Sequence, residues 1–153
     1  LIFPDNVSGT RMDTVCRSVM WRYKMDYSHG TGHGVGHFLN VHEDPNNLSW
    51  YGSFLPLLPN MVTSVEPGYY KAGCYGIRIE NLMYVTPLSN SGMLKFEFLT
   101  LVPLDKRLID KYLLTSEELA WVNGYHQKVY QKIAPHLSDP KEKLWLQKAC
   151  SPL

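Results

Sequence analysis

The sequence predicts an α+β fold in which one helix precedes a curved, mostly antiparallel sheet and further helices follow. Apolar residues recur at helical spacing near the start, β-branched runs fill the middle, and helix start signals mark the last third. Ten prolines and eleven glycines among 153 residues favour many turns over a helical bundle. We expect a sheet region at residues 1–103 and a helical extension at residues 104–153.

The first predicted element is a helix from about Thr10 to Lys24. Thr10 and Asp13 form an approximate capping box, which is a signal for a helix start. We expect the apolar stripe of this helix to pack into the core, and its members are Met12, Val15, Cys16, Val19, Met20 and Tyr23.

Four runs in the middle of the chain predict strands. The first is FLNVHE (38–43), and the second is MVTSVEPGYY (61–70), which its Pro-Gly dipeptide stops. GIRIENLMYVTP (76–87) is the clearest strand pattern, and MLKFEFLTLVP (93–103) follows it. The turn signal SNSG separates the last two runs, so we expect them to form a hairpin.

Two helices are predicted in the last third. Thr115 and Glu118 form a capping box, and Asp139 followed by Pro140 marks the start of a further helix. The apolar residues that follow the capping box at helical spacing are Leu119, Val122, Tyr125, Val129 and Ile133.

The composition excludes several function classes. The net charge is +1 without a block of like charges, which argues against nucleic-acid binding by charge, and no apolar run approaches the roughly 20 residues of a membrane span. Charged residues make up 19%, below the roughly 25% typical of soluble domains, which indicates surface for a partner. Three distant cysteines without CxxC spacing predict a reduced, cytoplasmic protein. The start lacks an initiating Met, so we expect the chain to begin partway through a longer protein.

Four of the six histidines lie in the stretch HGTGHGVGHFLNVHE, residues 29–43, together with four glycines. A cluster of this density is typical of metal binding, proton transfer or both. The glycines predict a backbone with positive φ that approaches a ligand closely, and they are Gly30, Gly32, Gly34 and Gly36. The spacing alone does not show which histidine would bind a metal.

Two carboxylates lie at predicted strand positions further along the chain. The Pro-Gly dipeptide holds Glu66 at a strand end, and alternation within GIRIEN places Arg78 and Glu80 on one face. Glu66 could be a plain surface residue, and Arg78 and Glu80 could form structural salt bridges. Alternatively, both carboxylates could converge on one cation. With one histidine they would suit Mn²⁺, Co²⁺ or Zn²⁺ better than Ca²⁺.

The blocks HGTGHGVGHFLNVHE, EPGYY and GIRIEN, in this order, resemble the signature of aminopeptidase P, also called Xaa-Pro aminopeptidase. This family comprises pita-bread-fold metallopeptidases and is related to prolidase and methionine aminopeptidase. The block FEFLTLVPLD resembles the segment after the last metal ligand of the family. The resemblance covers about residues 3–125. It implies that residues 1–103 form the C-terminal half of a pita-bread catalytic domain.

The resemblance also implies a reaction and a metal site. Family members hydrolyse the bond between an N-terminal residue and a following proline, using two divalent ions, commonly manganese, and a bridging hydroxide. By motif, His33, Glu66 and Glu80 match metal ligands, and Glu66 also matches the general base. Zinc or cobalt could replace manganese.

The remaining motif residues match a substrate pocket. His42 matches the histidine that donates a proton or hydrogen bond at the scissile peptide. His29, Tyr70 and Arg78 match residues that line the pocket, and His29 and Arg78 are also candidate catalytic residues. His37 stands where many relatives carry a small residue, so we expect a structural or pocket-edge role for it.

One departure from the family concerns its two aspartate ligands. Asp5, Asp13 and Asp26 precede the histidine stretch, but none matches their motif. We therefore expect this chain to bind at most one metal ion, to need the N-terminal half of the catalytic domain as a partner, and to be inactive alone. Its last helices could also form a homodimer interface.

Three functions remain open from the sequence. The first is an aminopeptidase that acts on peptides with proline in the second position. The second is a prolidase-like dipeptidase with similar motifs. The third is a pita-bread protein that binds peptides or partners without catalysis, although such proteins typically lose metal ligands.

Overall fold

The computed structural model describes residues 1–38, 40–52, 54–89 and 91–153. These residues form two units, Leu1–Thr100 and Leu101–Leu153. The first unit holds helix α1 (Gly9–Trp21) and short antiparallel strands, and the second holds helices. The strands are β1 (Ile2–Pro4), β2 (Gly32–His33), β3 (Asn47–Leu48), β4 (Val62–Val65), β5 (Gly68–Lys71), β6 (Tyr75–Arg78), β7 (Asn81–Leu88) and β8 (Met93–Phe98). Helix and antiparallel sheet together confirm the predicted α+β class.

The main sheet of the first unit has the strand order β1-β8-β7-β4. Strands β7 and β8 form the predicted hairpin, with Leu88 opposite Met93 and Met83 opposite Phe98. Asn90, in the turn between them, lies outside the described residues. The buried core beside this sheet comprises Phe3, Met12, Leu48, Leu57, Val85 and Leu94.

The predicted strand 76–87 is divided in two. Strand β6 ends at Arg78 and pairs with β5, whereas β7 begins at Asn81 and pairs with β4 and β8. The two strands belong to different sheets, and Ile79 and Glu80 form the link between them. This link therefore lies at a sheet boundary, and strand alternation does not extend through it.

The strand predicted over 38–43 is wrong for the residues that the structure describes there, and Leu39 lies outside them. The segment folds back on the glycine-rich stretch instead. The amide of Gly36 donates to the carbonyl of Asn40, and the amide of Glu43 donates to that of Gly34. These bonds satisfy backbone groups that a strand would have paired with a neighbour.

The glycines of this stretch serve close packing, and the prediction of positive φ for them is wrong. Among the described glycines, positive φ occurs at Gly73 and Gly92. At Gly32, a Cβ atom would lie 1.9 Å from the carbonyl oxygen of Ser64. The absence of a side chain at that position thus allows β2 to approach β4.

Helix α1 differs from its prediction in its start and in its buried face. Its N-cap is Ser8, whose hydroxyl accepts a hydrogen bond from the Arg11 amide. Thr10 and Asp13 therefore lie inside the helix, and Asp13 is buried. Of the predicted apolar stripe, Met12 is buried, whereas Val15, Val19 and Tyr23 are exposed and Cys16 and Met20 are half-buried.

The second unit contains helices α2 (Ser116–Ile133) and α3 (Pro140–Ala149), and both start signals are confirmed. Thr115 and Glu118 form the capping box, and the Asp139 side chain accepts from the Lys141 amide. The buried apolar residues of α2 include three from the predicted stripe: Val122, Tyr125 and Val129. None of the described helices is both long and apolar enough to cross a bilayer.

Candidate metal and substrate site

A cavity of about 270 Å³ in the first unit collects most of the motif residues. The histidine stretch supplies one part of its wall, and the ends of β3, β4 and β6 supply the rest. The lining residues are His29, Gly30, Gly32, His33, His42, Asn47, Tyr51, Glu66 and Arg78.

His33 and Glu66 both line this cavity and lie next to each other. The Nε2 atom of His33 lies 3.2 Å from Oε1 of Glu66, and its Nδ1 lies 3.0 Å from the Gly34 carbonyl oxygen. A carbonyl oxygen can only accept, so Nδ1 carries a proton and donates it. In a neutral ring, the Nε2 lone pair then lies beside the Glu66 carboxylate, so both atoms could bind the same cation.

This arrangement fits a divalent metal ion. A neutral imidazole whose other nitrogen donates to a carbonyl is the usual form of a histidine ligand, and carboxylate oxygen is a common companion. Ser64 stabilises both partners, because its hydroxyl accepts from the His33 amide and donates to Oε1 of Glu66, each at 3.0 Å. Ser64 of strand β4 therefore holds the two side chains in their relative position.

Glu80 does not join this pair. It is exposed in the link between β6 and β7 and does not line the cavity. Across the described part of the chain, no three His, Cys, Asp or Glu side chains gather closely enough to hold a metal ion. The structure thus brings together two of the three predicted ligands.

A chain of hydrogen bonds links Arg78, Tyr70 and His29. Nε of Arg78 donates to the Tyr70 hydroxyl at 2.9 Å, and that hydroxyl lies 2.7 Å from Nε2 of His29. Since Nδ1 of His29 lies 2.7 Å from the carbonyl oxygen of Gly30, Nε2 accepts from Tyr70. The three residues predicted for the substrate pocket are therefore in direct contact, although Tyr70 does not line the cavity itself.

Arg78 also connects these hydrogen bonds to the His33–Glu66 pair. Its Nη1 lies 3.4 Å from Oε2 of Glu66. The hydrogen bond with Tyr70 and the charges of Glu66 and Glu80 raise the pKa of Arg78 above its ordinary value. The side chain is 45% exposed, so water screens this ion pair and it contributes little to stability.

The other two histidines of the stretch have different positions. The ring of His42 lies 4.3 Å from that of His33, centroid to centroid, in an edge-to-face arrangement, and it lines the cavity. His37 is exposed, lies outside the cavity lining, and has its ring 6.3 Å from that of Phe38. Its position suits neither metal binding nor proton transfer in this cavity.

Sequence reasoning missed several residues of the site. Ser64 could have been found, because strand alternation places it on the same face as Glu66. Asn47 of β3 and Tyr51, which follows that strand, also line the cavity, and the sequence around them carries no signal of it. Asp13 and Arg17 form hydrogen bonds to Thr31 and His29 of the histidine stretch. The apolar helical pattern around them gave no indication of these contacts.

Comparison with known proteins gives the family. A sequence model of metallopeptidase family M24 matches residues 1–87, and one of the C-terminal region of peptidase M24 matches residues 92–153. Aminopeptidase P1 of Lotus japonicus is 40% identical over 99% of the chain, and a probable Xaa-Pro aminopeptidase P of Coprinopsis cinerea is 44% identical over 99%. The chain spans 24% and 26% of these relatives, about a quarter of their length.

Two solved structures are similar to the chain to different extents. X-prolyl aminopeptidase from Caenorhabditis elegans, described as a cytosolic enzyme with a di-nuclear active site, aligns over 100% of this chain and 26% of its own, with TM-score 0.92 and 41% identity. Prolidase from Pyrococcus furiosus aligns over 61% of this chain and 26% of its own, with TM-score 0.52 and 29% identity. The fold is thus that of the pita-bread peptidases, and the chain belongs to metallopeptidase family M24.

Proposed function

We propose that this chain is part of a metal-dependent aminopeptidase that releases the N-terminal residue from peptides with proline in the second position. The observation that carries the proposal is the His33–Glu66 pair, a set of metal donors 3.2 Å apart inside a cavity. The choice of substrate class rests on relatives named aminopeptidase P or Xaa-Pro aminopeptidase, which match 99% of the chain.

His33 and Glu66 would hold a divalent ion in this cavity, with Glu80 as a third ligand after a change in the link between β6 and β7. For the whole protein we propose two ions, with manganese as the preferred metal and zinc or cobalt as alternatives. The di-nuclear active site ascribed to the Caenorhabditis elegans enzyme supports two ions. At most one of them would bind to this chain alone.

The aspartate ligands implied by the resemblance would come from outside these 153 residues. Asp13 and Asp26 are bonded to Arg17, and neither they nor Asp5 lines the cavity. The N-terminal half of a catalytic domain is therefore the partner we propose for this chain, and without it we expect no peptidase activity.

The chain's own residues would handle protons and orientation. A divalent ion, when bound, polarises the scissile carbonyl and lowers the pKa of water. Glu66 would accept the proton of the attacking water, in an orientation fixed by Ser64 and Arg78. His42 lies beside His33 and would donate a hydrogen bond to the scissile peptide as negative charge develops on its oxygen.

Substrate orientation would depend on the chain of hydrogen bonds among Arg78, Tyr70 and His29. Their contacts at 2.9 and 2.7 Å fix all three side chains relative to one another before substrate binds. Such preorganisation reduces the entropy lost on binding. His29 and Arg78 face the cavity and would contact the peptide directly.

Localisation and assembly are also proposals. We propose a cytoplasmic protein, because the Caenorhabditis elegans enzyme is described as cytosolic and Cys16, Cys74 and Cys150 are free thiols here. The homodimer suggested by the C-terminal helices can be measured by analytical ultracentrifugation.

The metal site is tested by titrating Mn²⁺ into the purified chain and comparing His33→Gln with His37→Gln. Both variants lose one histidine from the same stretch, but only His33 lines the cavity. We expect His33→Gln to abolish binding of the ion and His37→Gln to retain it. Equal affinity in the two variants would contradict the metal site at His33 and Glu66.

The activity is tested in the intact protein with peptides that differ in the second residue. We expect release of the N-terminal residue before proline but not before alanine, and a loss of roughly 10²–10⁴-fold in Glu66→Gln if Glu66 is the general base. An Xaa-Pro dipeptide compared with a longer Xaa-Pro peptide separates the alternatives. A strong preference for the dipeptide would favour the prolidase-like function instead.

A further inference from the structure

Arg17 of helix α1 is a buried cation outside the cavity. It is 2% exposed, and its guanidinium carbon lies 4.1 Å from the ring centre of Tyr27 and 4.2 Å from that of Trp50. Both rings are within cation–π range. The side chain is thus enclosed between two aromatic residues, so its direction is fixed.

The guanidinium group holds the chain that enters the site. Nη1 donates to the Asp26 carboxylate at 2.8 Å and to the Tyr27 carbonyl at 2.6 Å, and Nη2 donates to the His29 carbonyl at 2.5 Å. Nε donates to Asp13 at 2.8 Å. One arginine therefore binds two backbone carbonyls in the three residues that end at His29.

Asp13 forms hydrogen bonds on the C-terminal side of His29. Its Oδ1 accepts from the Thr31 amide at 3.2 Å and from the Thr31 hydroxyl at 2.6 Å, while its Oδ2 accepts from Arg17. The Thr31 hydroxyl also lies 2.5 Å from the hydroxyl of Tyr27. The i,i+4 pair on α1 thus fixes backbone groups on both sides of His29 and two residues before His33.

The charge state of Arg17 supports this role. Burial works against its charge, but the hydrogen bonds with Asp13 and Asp26 outweigh burial, so the pKa of Arg17 is raised above its ordinary value. The guanidinium therefore stays protonated and keeps all of its donors.

A contribution to stability alone does not explain why Asp13 and Arg17 form a buried ion pair. A buried ion pair is often no more stable than an apolar pair of similar volume, because both ions must be desolvated. An apolar pair, however, could not bind the carbonyls of Tyr27 and His29 or the amide of Thr31. What the ions add is a fixed path for the glycine-flanked segment that carries two side chains of the cavity.

We propose that Asp13 and Arg17 are positioning residues that set the location of the His29 and His33 imidazoles. They touch neither the cavity nor the proposed substrate, and they act through the backbone at residues 27–31. The consequence for metal binding and catalysis rests on the proposed function, whereas the positioning itself does not.

The test is imidazole NMR on the metal-free chain, with long-range ¹H–¹⁵N spectra of the wild type, Arg17→Lys and Lys95→Met. Lysine keeps the charge of Arg17 but cannot form the several hydrogen bonds of a planar guanidinium. The control Lys95→Met removes a lysine that is paired with Glu97 and whose side chain is 37% exposed. We expect Arg17→Lys to shift the ring resonances of His29 and His33 but not those of His126 and His136. Lys95→Met should shift none of the four.

A folded Arg17→Lys protein with unchanged His29 and His33 resonances would overturn the proposal, because a merely structural role lowers the melting temperature without moving these rings. If Arg17→Lys does not fold, Thr31→Val gives a second test at nearly constant volume, since it removes the hydroxyl that bonds Asp13 and Tyr27. Unchanged rings in that variant would equally overturn the proposal.

Manganese titration separates this inference from the proposed function. We expect the affinity of Arg17→Lys for Mn²⁺ to fall roughly 10–100-fold, as is typical when support behind a metal ligand is removed. Shifted imidazoles in a chain whose wild type binds no Mn²⁺ would support the positioning role and contradict the metal site. Shifted imidazoles with unchanged Mn²⁺ affinity would support the positioning role and overturn its proposed consequence for metal binding.

Discussion

Helices α1 and α2 each bury one face with apolar side chains, Met12 on α1 and Val122 on α2, but α1 also buries an ion pair. The buried face of α2 contains Val122 and Val129. The buried face of α1 contains Asp13 and Arg17, while the apolar side chain of Val15 on the same helix is 49% exposed. Both helices show apolar residues at helical spacing, so the sequence pattern does not separate them.

The difference lies in what each helix contacts. Helix α2 packs by excluding apolar surface from water, at roughly 25 cal/mol per Å². The charged pair of α1 instead binds backbone groups of residues 27–31, the segment that leads into the candidate site. One helix stabilises its unit by apolar burial, and the other orders a segment of the candidate site.

The largest effect that would distinguish the helices is expected at Arg17. Arg17→Met leaves Asp13 buried and unpaired, and we expect it to lower the free energy of unfolding by about 3–5 kcal/mol. Lys95→Met, a control whose ion pair is partly open to solvent, should cost less than about 1 kcal/mol. Urea denaturation followed by circular dichroism measures both, and equal costs would contradict the contrast.

The double variant Asp13→Leu with Arg17→Met sharpens this prediction. It removes both buried charges, so we expect it to be more stable than Arg17→Met alone. Recovery should be incomplete, because the carbonyls of Tyr27 and His29 lose their donor. Full recovery of the free energy of unfolding would mean that the bonds from Arg17 to the carbonyls of Tyr27 and His29 do not stabilise the protein.

The next effect compares the same truncation on the two helices. Val129 is 0% exposed, so Val129→Ala should cost about 2 kcal/mol through lost apolar contact and a residual cavity. Val15→Ala should change stability by no more than about 0.5 kcal/mol, because half of that side chain is already in water. A similar cost at both positions, measured by denaturation, would show that α1 also relies on its apolar stripe.

The success and failure of the fold prediction follow from the same physics. Capping signals are local, so Thr115 with Glu118 and Asp139 with Pro140 were predictable from a few residues each. Apolar spacing in α2 identified its buried face because hydrophobic burial decides that face. In α1 the same spacing failed, because hydrogen bonds from Asp13 and Arg17 to a distant segment decide which side faces inward.

The candidate site shows a similar division. Motif resemblance identified His29, His33, His42 and Glu66, and all four line one cavity. The geometry around them was not predictable, because it depends on pairings between elements far apart in sequence. The separation of Glu80 from His33 and Glu66 arises where β6 and β7 enter different sheets, which no local pattern encodes.

The helix starts provide a smaller effect. The capping box of α2 satisfies two backbone groups, whereas the cap of α1 is a single bond of 3.5 Å from the Arg11 amide to Ser8. We expect Thr115→Ala to cost about 1 kcal/mol and Ser8→Ala about half of that. Thermal denaturation of the two variants measures the difference, and a larger cost at Ser8 would contradict it.

The smallest effect concerns the one buried histidine of α2, which tests whether that helix tolerates charge as α1 does. His126 is 0% exposed, and its Nε2 accepts from the Leu104 amide at 3.0 Å. Burial, with the nearby charge of Lys106, lowers the pKa of His126 below its ordinary value of 6.5. The unfolded chain therefore protonates His126 more readily than the folded chain does. The contribution of neutral His126 to the free energy of unfolding is fully present above pH 6.5 and is lost as the pH falls below it.

His126→Gln should remove this pH dependence while keeping an acceptor for Leu104, since the Gln side-chain oxygen can replace Nε2. We expect the wild type to lose more stability than His126→Gln between pH 7.5 and 5, and His136→Gln, an exposed control, to behave as the wild type. Melting temperatures at the two pH values measure this. Parallel losses in wild type and His126→Gln would mean that α2 accepts a buried charge, and the contrast with α1 would then rest on what each helix binds and not on charge itself.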